Sequence, residues 1–307
     1  VDSGLAKALT SESTLHGIRA QAMFEGMVAN LGSAKLIKQE DAGECYYDGD
    51  DISLPDFRVV TQSNETMLIE TKSHFHRDPF KRYRIRREDL ERLKRYAALS
   101  ATPLRLAIYW AQWNLWTLNK PESFSQDGKY AELDFQKAMK LSEMATLGDF
   151  TVGTKFPLTL RLGADMKQAR SKDADGKVLM YVGSVEVSCG GEPIVDRVER
   201  NIVLYLMMYG KWQYDGGIVE LSEDGLPVAM VHSSSPEDPL NDGEEFAMIG
   251  SLSSLYSSLY NSLTLKDGVV ERLRVKDPAS LAPVIPLKFE KKSLPLWRFV
   301  LQPNTDE

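Results

Sequence analysis

The chain has 307 residues, 43% hydrophobic and 26% charged, which excludes a disordered or fibrous protein and leaves room for two domains. No run approaches the roughly 18 apolar residues of a membrane span, and the N-terminal VDSGLAKALTSES lacks the apolar core of a secretory leader, so a cytoplasmic protein with no membrane partner is expected. The net charge of −7 hides an uneven distribution: Lys72 to Tyr96 carry ten Lys or Arg against four acids, a block of +6 in an acidic chain.

Residues 14–31, TLHGIRAQAMFEGMVANL, predict a helix. Leu15, Ile18, Ala22, Met23, Met27, Val28 and Leu31 recur at helical spacing, and Gly32 is a stop signal. Glu25 lies near the edge of its apolar face. Short strands are expected near 34–39 and 43–48, before an acidic DGDD turn. FRVVT and TMLIETK flank QSNE, four residues of turn character, and predict a hairpin. After the irregular, basic HFHRDPFKRYRI comes a second helix, REDLERLKRYAAL, with Leu90, Leu93 and Ala97 inward and Glu88 and Asp89 near its positive end. PLRLAIYW and WNLWTL predict two further strands.

A helix over 131–147 is expected to close a first domain of residues 1–147. Residues 148–307 read as a β-rich α+β second domain. FPLTLRL, KVLMYVGSVEVS, NIVLYLMMYGKW and GIVEL are strand-like, and a serine-rich helix is expected near 244–263. Recognition of substrate or partner, a second copy included, is the role expected of this half. Cys45 and Cys189 show no metal-ligand spacing and are expected as free thiols.

The chemistry concentrates in LPDFRVVTQSNETMLIETK, residues 54–72. Charged groups are costly in a sheet core unless paired or bound to something. Glu70 and Lys72 alternate onto one face of a strand, and the hairpin returns Asp56 toward them, on the same face if the register holds. A plain Glu70–Lys72 ion pair is the bland account; a metal site with an ammonium beside it is the functional one. His74 and His76 lack a third ligand nearby and suit surface or substrate contact better than a second metal site.

Pro55-Asp56 followed by Glu70-Thr71-Lys72 resembles the signature of the PD-(D/E)XK nuclease superfamily. The resemblance spans about residues 12–120 and implies an α/β, restriction-endonuclease-like core with a central mixed sheet flanked by helices. It implies metal-dependent hydrolysis of phosphodiester bonds, in DNA, with Mg²⁺ as cofactor and Mn²⁺ able to replace it. By carry-over, Asp56, Glu70 and the backbone carbonyl of Thr71 are metal ligands, and Lys72 is the catalytic lysine. Glu25 corresponds to an acid on the first helix that contacts the metal or its water. Arg82, Arg84, Arg86 and Arg87 are expected on nucleic-acid phosphates. Arg92 and Tyr96, one turn apart, resemble a Gln and Tyr pair of exonuclease-like members, with Arg92 departing from it. Bacterial defence and DNA repair are both settings for such an enzyme. Two other accounts remain open: a nucleic-acid-binding or scaffold protein on a degenerate nuclease core, and a hydrolase of some other substrate.

Overall fold

The computed structural model describes residues 12–125, 128–237, 246–275, 285 and 289–303. The chain divides into two compact units. One comprises Val1–Phe150, Leu252–Pro283 and Val300–Glu307; the other comprises Thr151–Ser251 and Val284–Phe299.

The first unit is a mixed α/β structure. Helix α1 (Glu12–Leu31) precedes β1 (Ala34–Gln39), β2 (Phe57–Thr61), β3 (Thr66–His74) and β4 (Tyr83–Arg86). Helix α2 (Arg87–Leu99), β5 (Leu104–Trp110), β6 (Leu115–Asn119), β7 (Tyr130–Leu133) and the short α3 (Phe135–Lys140) follow. The main sheet runs β1-β2-β3-β5-β6. Only β3 and β5 are parallel, as the intervening β4–α2 crossover requires. The predicted hairpin is present, with Phe57 opposite Ile69 and Val59 opposite Met67. Asn64 takes the left-handed conformation (φ 63°) in its QSNE loop, one that asparagine tolerates.

Alternation along β3 sorts its side chains between two faces. Leu68 joins Leu90, Leu93 and Ala97 of α2 with Leu106, Ile108 and Trp110 of β5 in one core. On the other face Phe57, paired with Ile69, meets Phe24 of α1, which in turn touches Trp116. Helices therefore flank the sheet, and the fold class read from the sequence is the one observed.

Several local expectations change. Residues 43–48 form no strand; the stretch lies in a loop whose Asp51 pairs with Arg92 of α2 (3.0 Å). Residues 131–147, expected as one helix, divide into β7, α3 and a 3₁₀ turn, because β7 finds a partner in β4. The helix expected over 244–263 is a strand, Phe246–Ser251, followed by the helix Leu252–Thr264. The strand pairs with Thr151–Lys155 in the second unit, whereas the helix returns to the first and packs on α1 and β6. Its serines permit the close approach: Ser257 Oγ accepts from Trp116 Nε1 (3.0 Å), and Ser258 Oγ accepts from Asn114 (2.9 Å).

The start of that helix rests on Asp149, whose carboxylate accepts from the Ser253 N–H (3.0 Å) and hydroxyl (2.5 Å). Burial pushes this carboxyl up to about 6 against the pull of Ser253. A folded-state value above the unfolded one means that the native state holds its proton longer. Stability therefore falls as pH rises from about 4 to about 6, by up to about 3 kcal/mol. Asp149→Asn keeps an acceptor for Ser253 and is expected to lose that slope in urea denaturation followed across this range. A slope unchanged in the variant would assign it to another group.

The second unit is β-rich α+β. Its five-stranded antiparallel sheet is ordered Glu192–Pro193, Val182–Cys189, Leu158–Ala164, Pro227–Ser235, Gln213–Leu221. A three-stranded sheet orders Phe246–Ser251, Thr151–Lys155 and Trp297–Phe299. NIVLYLMMYGKW, expected as a strand, lies mostly in the helix Arg197–Tyr209, capped by Asp196 on the N–H groups of Val198 and Glu199. Ile202, Val203, Leu206 and Met207 are its buried face, a helical period that a short apolar run obscures in sequence. Cys45 is an exposed and Cys189 a buried free thiol.

Candidate active site

Glu70 and Lys72 share the α2 face of β3, as alternation predicts. They line a cleft of about 430 Å³ with Arg84 and Arg86 of β4, Asp89 and Leu93 of α2, Ser53 and Tyr130. The Lys72 ammonium pairs with the Glu70 carboxylate, so the ion pair of the bland account exists. Burial pushes the Glu70 carboxyl up to about 7; the neighbouring charge of Asp56 adds to the rise, while Lys72 opposes it. Burial pulls Lys72 down, but Glu70, Asp56 and Asp89 outweigh it and keep the ammonium charged at neutral pH.

Asp56 precedes the paired stretch of β2 by one residue and escapes its alternation. The carboxylate turns to the α1 side instead of sharing the face of Glu70. There Oδ2 accepts the Thr71 N–H (2.6 Å) and the Thr71 hydroxyl, while Oδ1 accepts from Gln21 Nε2 of α1 (2.5 Å). Asp56 thereby opens on a smaller cavity of about 120 Å³, shared with Glu25, Gln39, Asp41 and Arg274. Asp56 still acts on Glu70 across the strand end: its charge raises the Glu70 carboxyl, while its backbone N–H supports the Glu70 carboxylate.

Gln21 and not Glu25 is the α1 side chain that reaches Asp56. Glu25, one turn on, accepts from Gln39 (3.3 Å) and faces Arg274 (3.8 Å). Asp41, which nothing in its sequence context marked, lies on the same cavity; burial and the charge of Asp56 raise its carboxyl.

The basic residues separate by geometry. Tyr83 and Ile85 point into the core, so Arg84 and Arg86 share the exposed side of β4. Arg82 and Arg84 are partly neutralised by Glu132 of β7, at 3.6 and 2.8 Å. Arg86, at the cap of α2, has no carboxylate partner among the described residues. Arg87 begins the helix, its N–H bonded to the Lys129 carbonyl (3.0 Å). Arg92 is held by Asp51, and the Tyr96 hydroxyl donates to Glu40 (2.6 Å), itself a buried partner of Arg58. His74 packs edge-on to Tyr83 and Trp110 and bonds the Lys81 carbonyl (2.9 Å), an architectural role.

Among the described residues no group of three or more His, Cys, Asp or Glu is arranged as a metal cage. Mg²⁺ seldom uses one: it takes one or two carboxylates and retains waters. Asp56 accepts three hydrogen bonds where a carboxylate offers about four lone-pair sites, leaving one on Oδ1. Glu70, buried and raised by a like charge, gains from a cation beside it. The oxygen donors are of the kind a hard divalent ion takes, but Asp56 and Glu70 open on different cavities in this structure.

No protein-family model and no curated protein matches the chain. Among solved structures, Archaeoglobus fulgidus Hjc, a Holliday junction resolvase from an archaeal hyperthermophile, is similar with a TM-score of 0.34 and 13% identity. The alignment covers 43% of this chain and 96% of that one. A likeness at that level carries no functional weight. Among the described residues no helix is long and apolar enough to cross a membrane.

Proposed function

We propose that the chain is a metal-dependent nuclease that hydrolyses phosphodiester bonds in DNA. The observation that supports this best is Glu70 and Lys72 side by side in a cleft rimmed by Arg84 and Arg86, with Asp56 behind them, hydrogen-bonded to Thr71 and opening on its own cavity. Such a cleft is an anion site in a protein whose net charge is −7. Asp56 and Glu70, with the Thr71 carbonyl, would hold Mg²⁺ or Mn²⁺. The ion would acidify a bound water and polarise the phosphate. Lys72 orients the attacking water and balances charge developing on the phosphoryl oxygens. Arg86 holds a neighbouring phosphate, with Arg84 and Arg87 flanking it and Arg82 further out. Glu25 acts at a distance, through the cavity it shares with Asp56. The second unit selects substrate or partner, and defence or repair in the cytoplasm is the setting.

A second reading, a binding or scaffold protein with an inactive core, draws on the closed Glu70–Lys72 pair. Cleavage of supercoiled plasmid, linear duplex, single-stranded DNA and RNA, with Mg²⁺, Mn²⁺ or EDTA, separates the two. The wild type is expected to cut only with metal. Lys72→Ala is expected to lose about a hundredfold or more in rate while retaining binding. Wild-type protein that binds these substrates and cuts none of them, with either metal, supports the second reading.

A further inference from the structure

We infer that Tyr130, with Arg84 and Arg86 beside it, is a stacking platform for an unpaired base, so that the strand entering the cleft is single-stranded or locally unpaired. The inference rests on the nuclease reading of the Glu70–Lys72 site and specifies its substrate.

On β7 the alternate residues Ala131 and Leu133 fill the core, which leaves Tyr130 and Glu132 on the outward side. Tyr130 keeps 36% of its surface exposed, so its ring is not part of the core. It lines the same cleft as Glu70 and Lys72, and the β4–β7 register sets it opposite Arg86. The Arg84 guanidinium carbon and the Lys129 ammonium each lie 6.0 Å from the ring centroid. Glu132 already satisfies Arg84 at 2.8 Å, so the ring is not needed to hold that arginine.

A part-exposed tyrosine with two cations 6.0 Å over its ring, beside the proposed phosphodiester site, is the kind of arrangement by which proteins bind single strands. The base stacks by displacing a cation, which then meets a flanking phosphate. A base inside a duplex already has both faces covered, so the ring can engage only one whose neighbour has been removed. Chain order extends the pattern. Phe75 and Phe80, 72% and 66% exposed, alternate with Arg77 and Lys81 directly beyond the strand that carries Lys72.

The test compares wild type, Tyr130→Ala and Tyr130→Phe in EDTA, binding single-stranded DNA, single-stranded RNA and blunt duplex. Each single strand carries one 2-aminopurine, whose fluorescence reports stacking. Tyr130→Ala is expected to weaken single-strand binding by about tenfold and to lose the fluorescence change. Tyr130→Phe is expected to keep both, and duplex binding to stay within about twofold. Either sugar behaving this way supports the platform, and the ratio between them identifies the strand. Equal losses on duplex and single strand overturn it, as does an unchanged Tyr130→Ala or a Tyr130→Phe as weak as the alanine. Tyr130→Leu, which keeps apolar bulk without the π face, replaces the alanine variant if that one melts early. A wild type that binds through Tyr130 but cuts nothing defeats the nuclease reading alone. Metal-dependent cutting with single-strand binding indifferent to Tyr130 defeats the platform alone.

Discussion

Asp56→Asn is expected to reduce metal-dependent cleavage by about a thousandfold or more, the consequence of losing several kcal/mol of transition-state stabilisation with the metal. The fold should survive, because an asparagine oxygen still accepts the Thr71 N–H that Asp56 now accepts at 2.6 Å. Removing this charge also relieves Glu70 and Asp41, both of which it raises, so the metal-free variant should melt close to wild type. The discriminating measurement is thermal melting with and without millimolar Mg²⁺, beside the cleavage rate. Binding to the native state alone raises the melting temperature of the wild type, and the variant should show no such shift. A variant that cuts at the wild-type rate would remove Asp56 from the site. One that loses cutting yet keeps the Mg²⁺ shift would assign Asp56 to another role.

Glu199→Ala is expected to destabilise the second unit by about 1–3 kcal/mol, the cost of losing hydrogen bonds to a charged acceptor. Glu199 is almost wholly buried in the helix Arg197–Tyr209. Its carboxylate accepts the N–H groups of Lys292 (2.7 Å) and Ser293 (3.0 Å) and the Ser293 hydroxyl (2.5 Å). Truncation leaves those donors without partners and frees the segment leading into the strand Trp297–Phe299, which pairs with Thr151–Lys155. Burial alone would raise this carboxyl, but the Ser293 hydroxyl and the backbone N–H groups hold it below its ordinary value. The contribution is therefore present at neutral pH and lost as the pH falls through that lowered value. Urea unfolding read by tryptophan fluorescence, to which Trp212 and Trp297 of the second unit contribute, and limited proteolysis near 292 check both statements. A midpoint unmoved by Glu199→Ala would show that the segment is held by its strand pairing alone.

How far the sequence reaches depends on the range of the interactions concerned. The hairpin, α1, α2 and the inward faces of Leu90, Leu93 and Ala97 were legible because turn residues and periodicity act over a few neighbours. Alternation likewise put Glu70 and Lys72 on one face, whereas the stretch holding Arg84 and Arg86 carries no strand signal and becomes β4 only through its pairing with β7. Asp56 shows the limit. It stands one residue outside the pairing, so its direction was decided by Gln21 and Thr71, which tertiary packing brings to it.

The same division accounts for what was missed. Residues 131–133 have helical neighbours, and only the partner strand β4 turns them into β7, which is what exposes Tyr130 to the cleft. NIVLYLMMYGKW is an apolar run compatible with strand or helix until Asp196 caps it and Glu199 finds Ser293, 94 residues away. The sequence by itself determined the chemical inventory: two carboxylates, an ammonium and a basic block at hairpin spacing. Which of them share a cavity, and which arginines are neutralised by Glu132, was decided by tertiary structure. Pairing partners distant in the chain leave no local periodicity to read.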